Sequence, residues 1–205
     1  MYRFFKNIVN TLIIILAVFG CFSLYKNHSF DNIGGAIMNL FSLDKEKTVE
    51  QVGDFSQVDE EFKIDTAVNV LGYKTVVAKH SSSGQKMIIV DSGKKKLLTK
   101  NDLKNDNVKV KLEDLCKKYA KNKADVEKIE IIDRGYMTTY GQKVPYVKIN
   151  AKMSKFPNSN FTGIVSVVDE DANNQRIIVS LNDNKHYSQL ITTEFYKNVK
   201  DSRQK

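Results

Sequence analysis

The sequence predicts an α+β fold: an antiparallel β-sheet of about five to six strands with helices packed on it, preceded by an N-terminal hydrophobic helix. Three observations predict it. β-rich runs recur between residues 73 and 181, separated by short turns rich in Gly, Ser and Asn, which is the signature of successive hairpins. Residues 112–121 and 187–199 carry apolar side chains at a period near 3.6. No charged residue falls between Lys6 and Lys26.

Composition narrows the function classes. The chain has 205 residues, of which 27% are charged, as expected of one ordinary soluble domain and not of a polytopic membrane protein. Two cysteines cannot build a disulfide framework, and His28, His80 and His186 lie too far apart in the sequence to give metal-ligand spacing. No Walker loop, dinucleotide glycine motif or zinc motif occurs. No cofactor, no metal and no catalytic residue is expected, and the chain reads as a non-enzyme.

Taken in order, residues 1–25 form a signal peptide or signal-anchor transmembrane helix. Arg3 and Lys6 precede an uncharged, largely apolar run from Asn7 to Tyr25, about the length of helix that a bilayer core requires. The basic residues ahead of it place the N-terminus in the cytoplasm, so that the rest of the chain lies outside. Residues 17–21, Ala-Val-Phe-Gly-Cys, resemble a bacterial lipobox. That resemblance implies cleavage after Gly20 and lipidation of Cys21. Uncleaved signal anchor and lipoprotein give the same topology, and both readings stand at this point.

Residues 26–61 read as a juxtamembrane tether. Phe30, Ile33, Ile37, Leu40 and Phe41 recur at helical spacing, whereas residues 44–61, acidic and polar without strand-like alternation, read as a solvated connection or a first surface helix. Residues 62–200 read as the extracytoplasmic α+β domain, and 201–205 as a frayed tail. Within the domain, residues 73–80 and 85–91 form a hairpin around Ser81-Ser82-Ser83-Gly84. His80 beside those serines is a turn residue unless a third group orients it as a base.

Residues 93–123 hold eleven lysines against four acids, a balance of +7. Leu112, Leu115, Cys116 and Tyr119 mark an amphipathic helix within that span, with Cys116 on its buried face. Strands follow at 126–131 and 136–140. After a tight turn at Gly141, the strand 144–153 places Val147, Ile149, Ala151 and Met153 on one face and Lys148, Asn150 and Lys152 on the other. Pro145 suggests an edge strand or an early unpaired position. A hairpin of residues 161–168 and 175–181 surrounds an acidic turn. That turn fails as a calcium loop, because Asn174 replaces the glycine and Ser180 the final glutamate. A closing helix carries Tyr187, Ile191, Phe195 and Val199 as a stripe, with Leu190 beside it.

The order of elements from about residue 73 to 200, hairpin, helix, meander and closing helix, resembles the Mog1/PsbP/DcrB-like α/β/α sandwich. That resemblance implies a three-layer domain of a kind found in exported and lipid-anchored bacterial proteins. A cystatin or NTF2-like fold is the alternative.

These readings converge on a membrane-anchored, extracytoplasmic, non-catalytic protein of the bacterial envelope that binds a partner protein or an anionic component, lipid or wall polymer. Lys94, Lys95, Lys96, Lys117, Lys118 and Lys121 are the candidate anionic-surface residues. Nucleic acid is not expected as a partner, because aromatics do not interleave with the lysines. A structural subunit of an envelope or secretion complex is one alternative. An enzyme built from Asp133, Arg134, Tyr136 and Tyr140 on the wet sheet face is another.

Overall fold

A computed structural model describes residues 45–70, 73–94, 96–119, 126–153, 160–171 and 174–202. Its strands are β1 (Phe62–Val70), β2 (Tyr73–His80), β3 (Lys86–Gly93), β4 (Val126–Thr139), β5 (Gln142–Met153), β6 (Asn160–Asp171) and β7 (Asn174–Asp183). The helices among the described residues are α1 (Lys45–Val52), α2 (Lys100–Lys104), α3 (Asn107–Tyr119) and α4 (Gln189–Asn198). The strands form one antiparallel sheet in the order β1-β2-β3-β7-β6-β5-β4. β1 to β3 meander to the middle of the sheet. The chain then passes through α2 and α3 to the opposite edge, and β4 to β7 meander back until β7 closes against β3.

Both faces are covered, which makes the domain three-layered. One face packs Ile88, Val90, Val147, Ile149, Val179 and Leu181 beneath Leu98, Leu103, Val108 and Leu112 from α2, α3 and the loop before them. The other packs Val76, Ala78, Met87, Ile89, Ile164 and Ile178 beneath Val52 of α1 and Phe195, Tyr196 and Val199 of the C-terminal segment. β7 shows why the sheet needs both layers. Its residues alternate between the two clusters, and Gln175 through Asn182 are all buried, the mark of a strand covered on both sides.

The sheet has seven strands where about five to six were expected. The additional strand is β1. Its pairing with β2 slips between Ile64 and Thr66, and such a bulge moves every later side chain to the opposite phase, which breaks the alternation that sequence reading depends on. Residues 126–140 form one long strand, with register shifts between Val126 and Lys128 and between Ile131 and Asp133. Pro145 does not mark an edge, because β5 lies between β4 and β6. It sits one residue before the β5–β6 register opens at Tyr146↔Ser166, so its missing N–H falls at the end of that ladder.

The packed fold also begins upstream of Phe62. α1 buries Thr48 and Val52, four residues apart, while Lys45, Glu46, Lys47 and Glu50 stay outside; of the two readings of this segment, solvated connection and surface helix, the second holds for residues 45–52. α3 starts at Asn107, ahead of the expected residue 112, because Val108 extends its apolar stripe by one turn. α4 is capped by Ser188, whose hydroxyl accepts the Ile191 N–H. Its buried side chains are Thr192, Phe195 and Tyr196, and Leu190 instead points outward at 82% exposure. Residue 201, assigned to the frayed tail, is held against the domain by an ion pair described below. The N-terminal apolar run with Cys21, and the helical spacing of residues 30–41, lie outside the described residues.

Candidate functional site

One end of the sheet carries a cleft of about 780 Å³ lined by Val49, Glu50, Gln51, Gly53, Asp54, Phe55, Lys74, Asp91, Asn174 and Ser202. Its walls come from the C-terminal end of α1 and from the starts or ends of β2, β3 and β7. Register explains why charge collects there. Lys74 of β2 lies opposite Asp91 of β3, and Asp91 lies opposite Arg176 of β7, so three adjacent strands place +, − and + in one row on the α1 side of the sheet. Lys74 Nζ is 3.9 Å from Asp91 Oδ2, and Asp91 Oδ1 accepts the Gly93 N–H at 2.8 Å.

Arg176 is almost completely buried, at 1% exposure. Its guanidinium lies 4.4 Å from the Tyr140 ring centroid and 3.7 Å from Asp201. A cation so deep in a protein persists only where anions and π-faces replace its water. Tyr140 occupies the β4–β5 turn with φ of 50°, followed by Gly141 at 70°, the two positive values a type I′ hairpin turn demands. Among the described residues it is the only non-glycine with positive φ. Two contacts hold it there: its hydroxyl donates to Val52 O at 2.9 Å, and its amide donates to Val199 O. Burial pushes the Tyr140 hydroxyl pKa far up, against the opposing pull of Arg176, so the phenol stays neutral at any physiological pH.

The lip of the cleft is closed by backbone. Asp54 and Lys200 exchange N–H···O bonds of 2.9 and 3.0 Å. Gly53 is required beside them, because a Cβ there would meet Val199 Cγ1 at 3.1 Å, with Lys200 O and the Tyr140 hydroxyl each at 3.2 Å. The lining offers the paired Lys74 and Asp91, with the buried Arg176 and the neutral Tyr140 phenol behind it, a constellation suited to holding a polar group.

The sequence pointed elsewhere for chemistry. Asp133, Arg134, Tyr136 and Tyr140 do not converge. Arg134 turns toward the α2–α3 junction and pairs with Asp106 at 2.8 Å. Tyr136 is 57% exposed, while Tyr140 is buried against Arg176 on the other face. Asp133 stays exposed, 3.4 Å from the Tyr146 hydroxyl.

His80 does find a third group. The Ser83 amide donates to its Nδ1 at 3.3 Å and Ser83 Oγ lies 2.9 Å from the same nitrogen, so Nδ1 is the acceptor and Nε2–H faces Glu61 Oε2 at 2.7 Å. These bonds close the β2–β3 turn and fasten it to the start of β1. The Ser83 and Gly84 amides are spent on His80, and Ser83 Oγ accepts the Gln85 N–H. The donors an acyl-transfer site aims at an oxyanion are therefore committed within the turn.

Of the lysine candidates, Lys94 and Lys96 are exposed on the loop between β3 and α2. Lys117 and Lys118 lie in α3 with their side chains outside the described residues, as does the side chain of Cys116; Lys95 and Lys121 lie wholly outside. Sequence reading missed Lys74, Asp91 and Arg176. A signal was present in the last two, each a charge at the end of an apolar strand run, but only the register shows that they meet.

No protein-family model matches the chain, and no curated protein matches it. Among solved structures it is similar to the solution structure of cyanobacterial PsbP (CyanoP) from Synechocystis sp. PCC 6803, at 10% sequence identity over 67% of this chain and 84% of that one, with a TM-score of 0.38. The three-layer architecture rests on the strand order and registers of this chain itself.

Proposed function

We propose that the chain is a non-catalytic, membrane-anchored extracytoplasmic protein, a bacterial envelope lipoprotein of Mog1/PsbP/DcrB-like type whose domain binds a partner protein or an anionic envelope component. The observation that carries this reading is the uncharged run between Lys6 and Lys26, preceded by Arg3 and containing Gly20-Cys21. Its length suits a bilayer core, and the basic residues ahead of it orient it. Two or three acyl chains on Cys21 would hold the domain far more firmly than one. The cleft at the end of the sheet, with Lys74 and Asp91 in its lining and the buried Arg176 next in the row, supports a binding role because it presents paired charges to a polar group.

Intact-mass measurement of the protein extracted from carbonate-washed membranes tests the reading. Loss of residues 1–20 with a diacylglyceryl adduct on Cys21 is the expected result. The unmodified full-length mass in the same fraction would replace lipidation by a transmembrane anchor. Recovery of the protein from the soluble fraction would overturn the anchoring.

A further inference from the structure

The lysine-rich span does not behave as one surface. In α3, Lys109 lies 4.0 Å from Glu113 and Lys111 lies 2.6 Å from Asp102. Arg134 beside them is held by Asp106. Along the β4 edge, Lys152 pairs with Glu127 at 2.7 Å and Lys128 with Glu130. Lys94, Lys96, Lys100 and Lys104 have no ion pair among the described residues. They follow one another through the β3–α2 loop and along α2, and all but Lys100, which is half-buried, are exposed.

Asp102, the acid within α2, is already engaged. Asp102 accepts the Thr99 N–H at 2.8 Å while Thr99 Oγ1 accepts the Asp102 N–H at 3.1 Å, a reciprocal cap, and the other carboxylate oxygen is taken by Lys111. The backbone carrying the lysines is fixed from beneath. Gln175 accepts the Leu97 N–H at 2.9 Å and donates to Leu98 O at 2.6 Å, and Leu98 and Leu103 are each 1% exposed. Four lysines without an ion pair among the described residues thus flank a backbone pinned at Leu97 and Leu98, which lowers the ordering cost of contact.

We propose that this corner, Lys94, Lys96, Lys100 and Lys104, docks on the anionic phospholipid headgroups of the membrane that carries the N-terminal anchor. The proposal rests on the anchoring reading above. Charge complementarity selects the occupant: a basic residue close to an anionic leaflet strengthens contact roughly fivefold, and the effect dies away within about 8 Å at physiological salt. Four charges on a tethered domain act together, because the anchor already supplies a high local concentration of membrane.

Amine-acylation footprinting of the full chain reconstituted in nanodiscs tests it. One disc contains phosphatidylcholine alone and the other adds phosphatidylglycerol, with the exposed Lys63, Lys143 and Lys185 as internal references. The corner lysines are expected to lose at least about tenfold in reactivity in the anionic disc, the change that 1.4 kcal/mol produces, and to recover at high salt while the references stay level. Equal corner reactivity in the two discs, with the protein retained in both, would overturn the docking and leave the anchoring standing. Failure of the chain to remain in either disc would overturn both.

Discussion

Alternate residues of β7 build two different interiors. Toward α2 and α3 the strand sends Ile177, Val179 and Leu181 into a mainly apolar cluster, with Gln175 as a buried polar group at its end. Toward α1 and α4 it sends Arg176, Ile178 and Ser180, and the layer above them adds the hydroxyls of Tyr140, Thr192 and Tyr196. Tyr196 shares its O–H between Val179 O at 2.7 Å and Ile88 O at 3.0 Å, and accepts the Ile88 N–H. Gln85, with no exposure, accepts the Ser188 N–H and donates to Ser188 O and Thr192 Oγ1. The apolar face is held by area, which is non-directional. The polar face is held by groups that must each find their own partner, so it fixes where α1, α4 and the C-terminal segment sit.

The largest test of that contrast is at Arg176. Arg176→Ala is expected to lower stability by about 3–5 kcal/mol, because Asp201 loses its cation, and Arg176→Met should lose nearly as much, because it refills the space but leaves the carboxylate uncompensated. Denaturant unfolding followed by circular dichroism checks both. Recovery of most of the loss in the Met variant would mean that the site needs the volume of the side chain and not its charge.

On the apolar face, Gln175→Ala should cost about 1–3 kcal/mol by leaving the Leu97 N–H and Leu98 carbonyl buried without their partner. Hydrogen exchange at the Leu97 and Leu98 N–H groups, both of which donate to Gln175 Oε1, should rise with it, and unchanged exchange would remove Gln175 as the support of the β3–α2 corner. Tyr196→Phe should cost about 1 kcal/mol, read as a shift in unfolding midpoint at constant slope.

The capping box of α2 adds a pH term. Burial alone would raise the Asp102 pKa, but hydrogen bonds from Lys111 and Thr99 outweigh it and the carboxyl titrates below its usual value. A depressed folded-state pKa stabilises above the unfolded value of about 3.9 and loses that stabilisation as pH falls through the folded one. The stability difference between wild type and Asp102→Asn should therefore be present near neutrality and shrink below about pH 4. Smallest of all, Leu190→Ser should change stability by no more than about 0.5 kcal/mol, since the side chain is 82% exposed.

What was legible in the sequence follows the same physics. β2, β3, β5, β6 and β7 announce themselves because each keeps one phase or one apolar run between recognisable turns, and α4 because Phe195 and Val199 repeat at helical spacing. β1 was hidden by its bulge at Ile64, and α1 could not be told from a solvated connection because it has only Thr48 and Val52 to bury. Arg176 could not be placed from its neighbours in sequence. Its partners are Tyr140 and Asp201, with Asp91 opposite it on β3, and distant parts of the chain bring them together. Lysine count alone suggested one basic surface, whereas ion pairing divides the described residues into the paired Lys109 and Lys111 of α3 and a corner of lysines without an ion pair among them.

Topology is the claim on which the functional account depends. Adding protease to intact spheroplasts tests it most directly, with a cytoplasmic protein as the internal control. The account predicts that the domain downstream of residue 45 is digested, or released as a resistant core, while the control survives. Protection of the domain until the membrane is broken would contradict it.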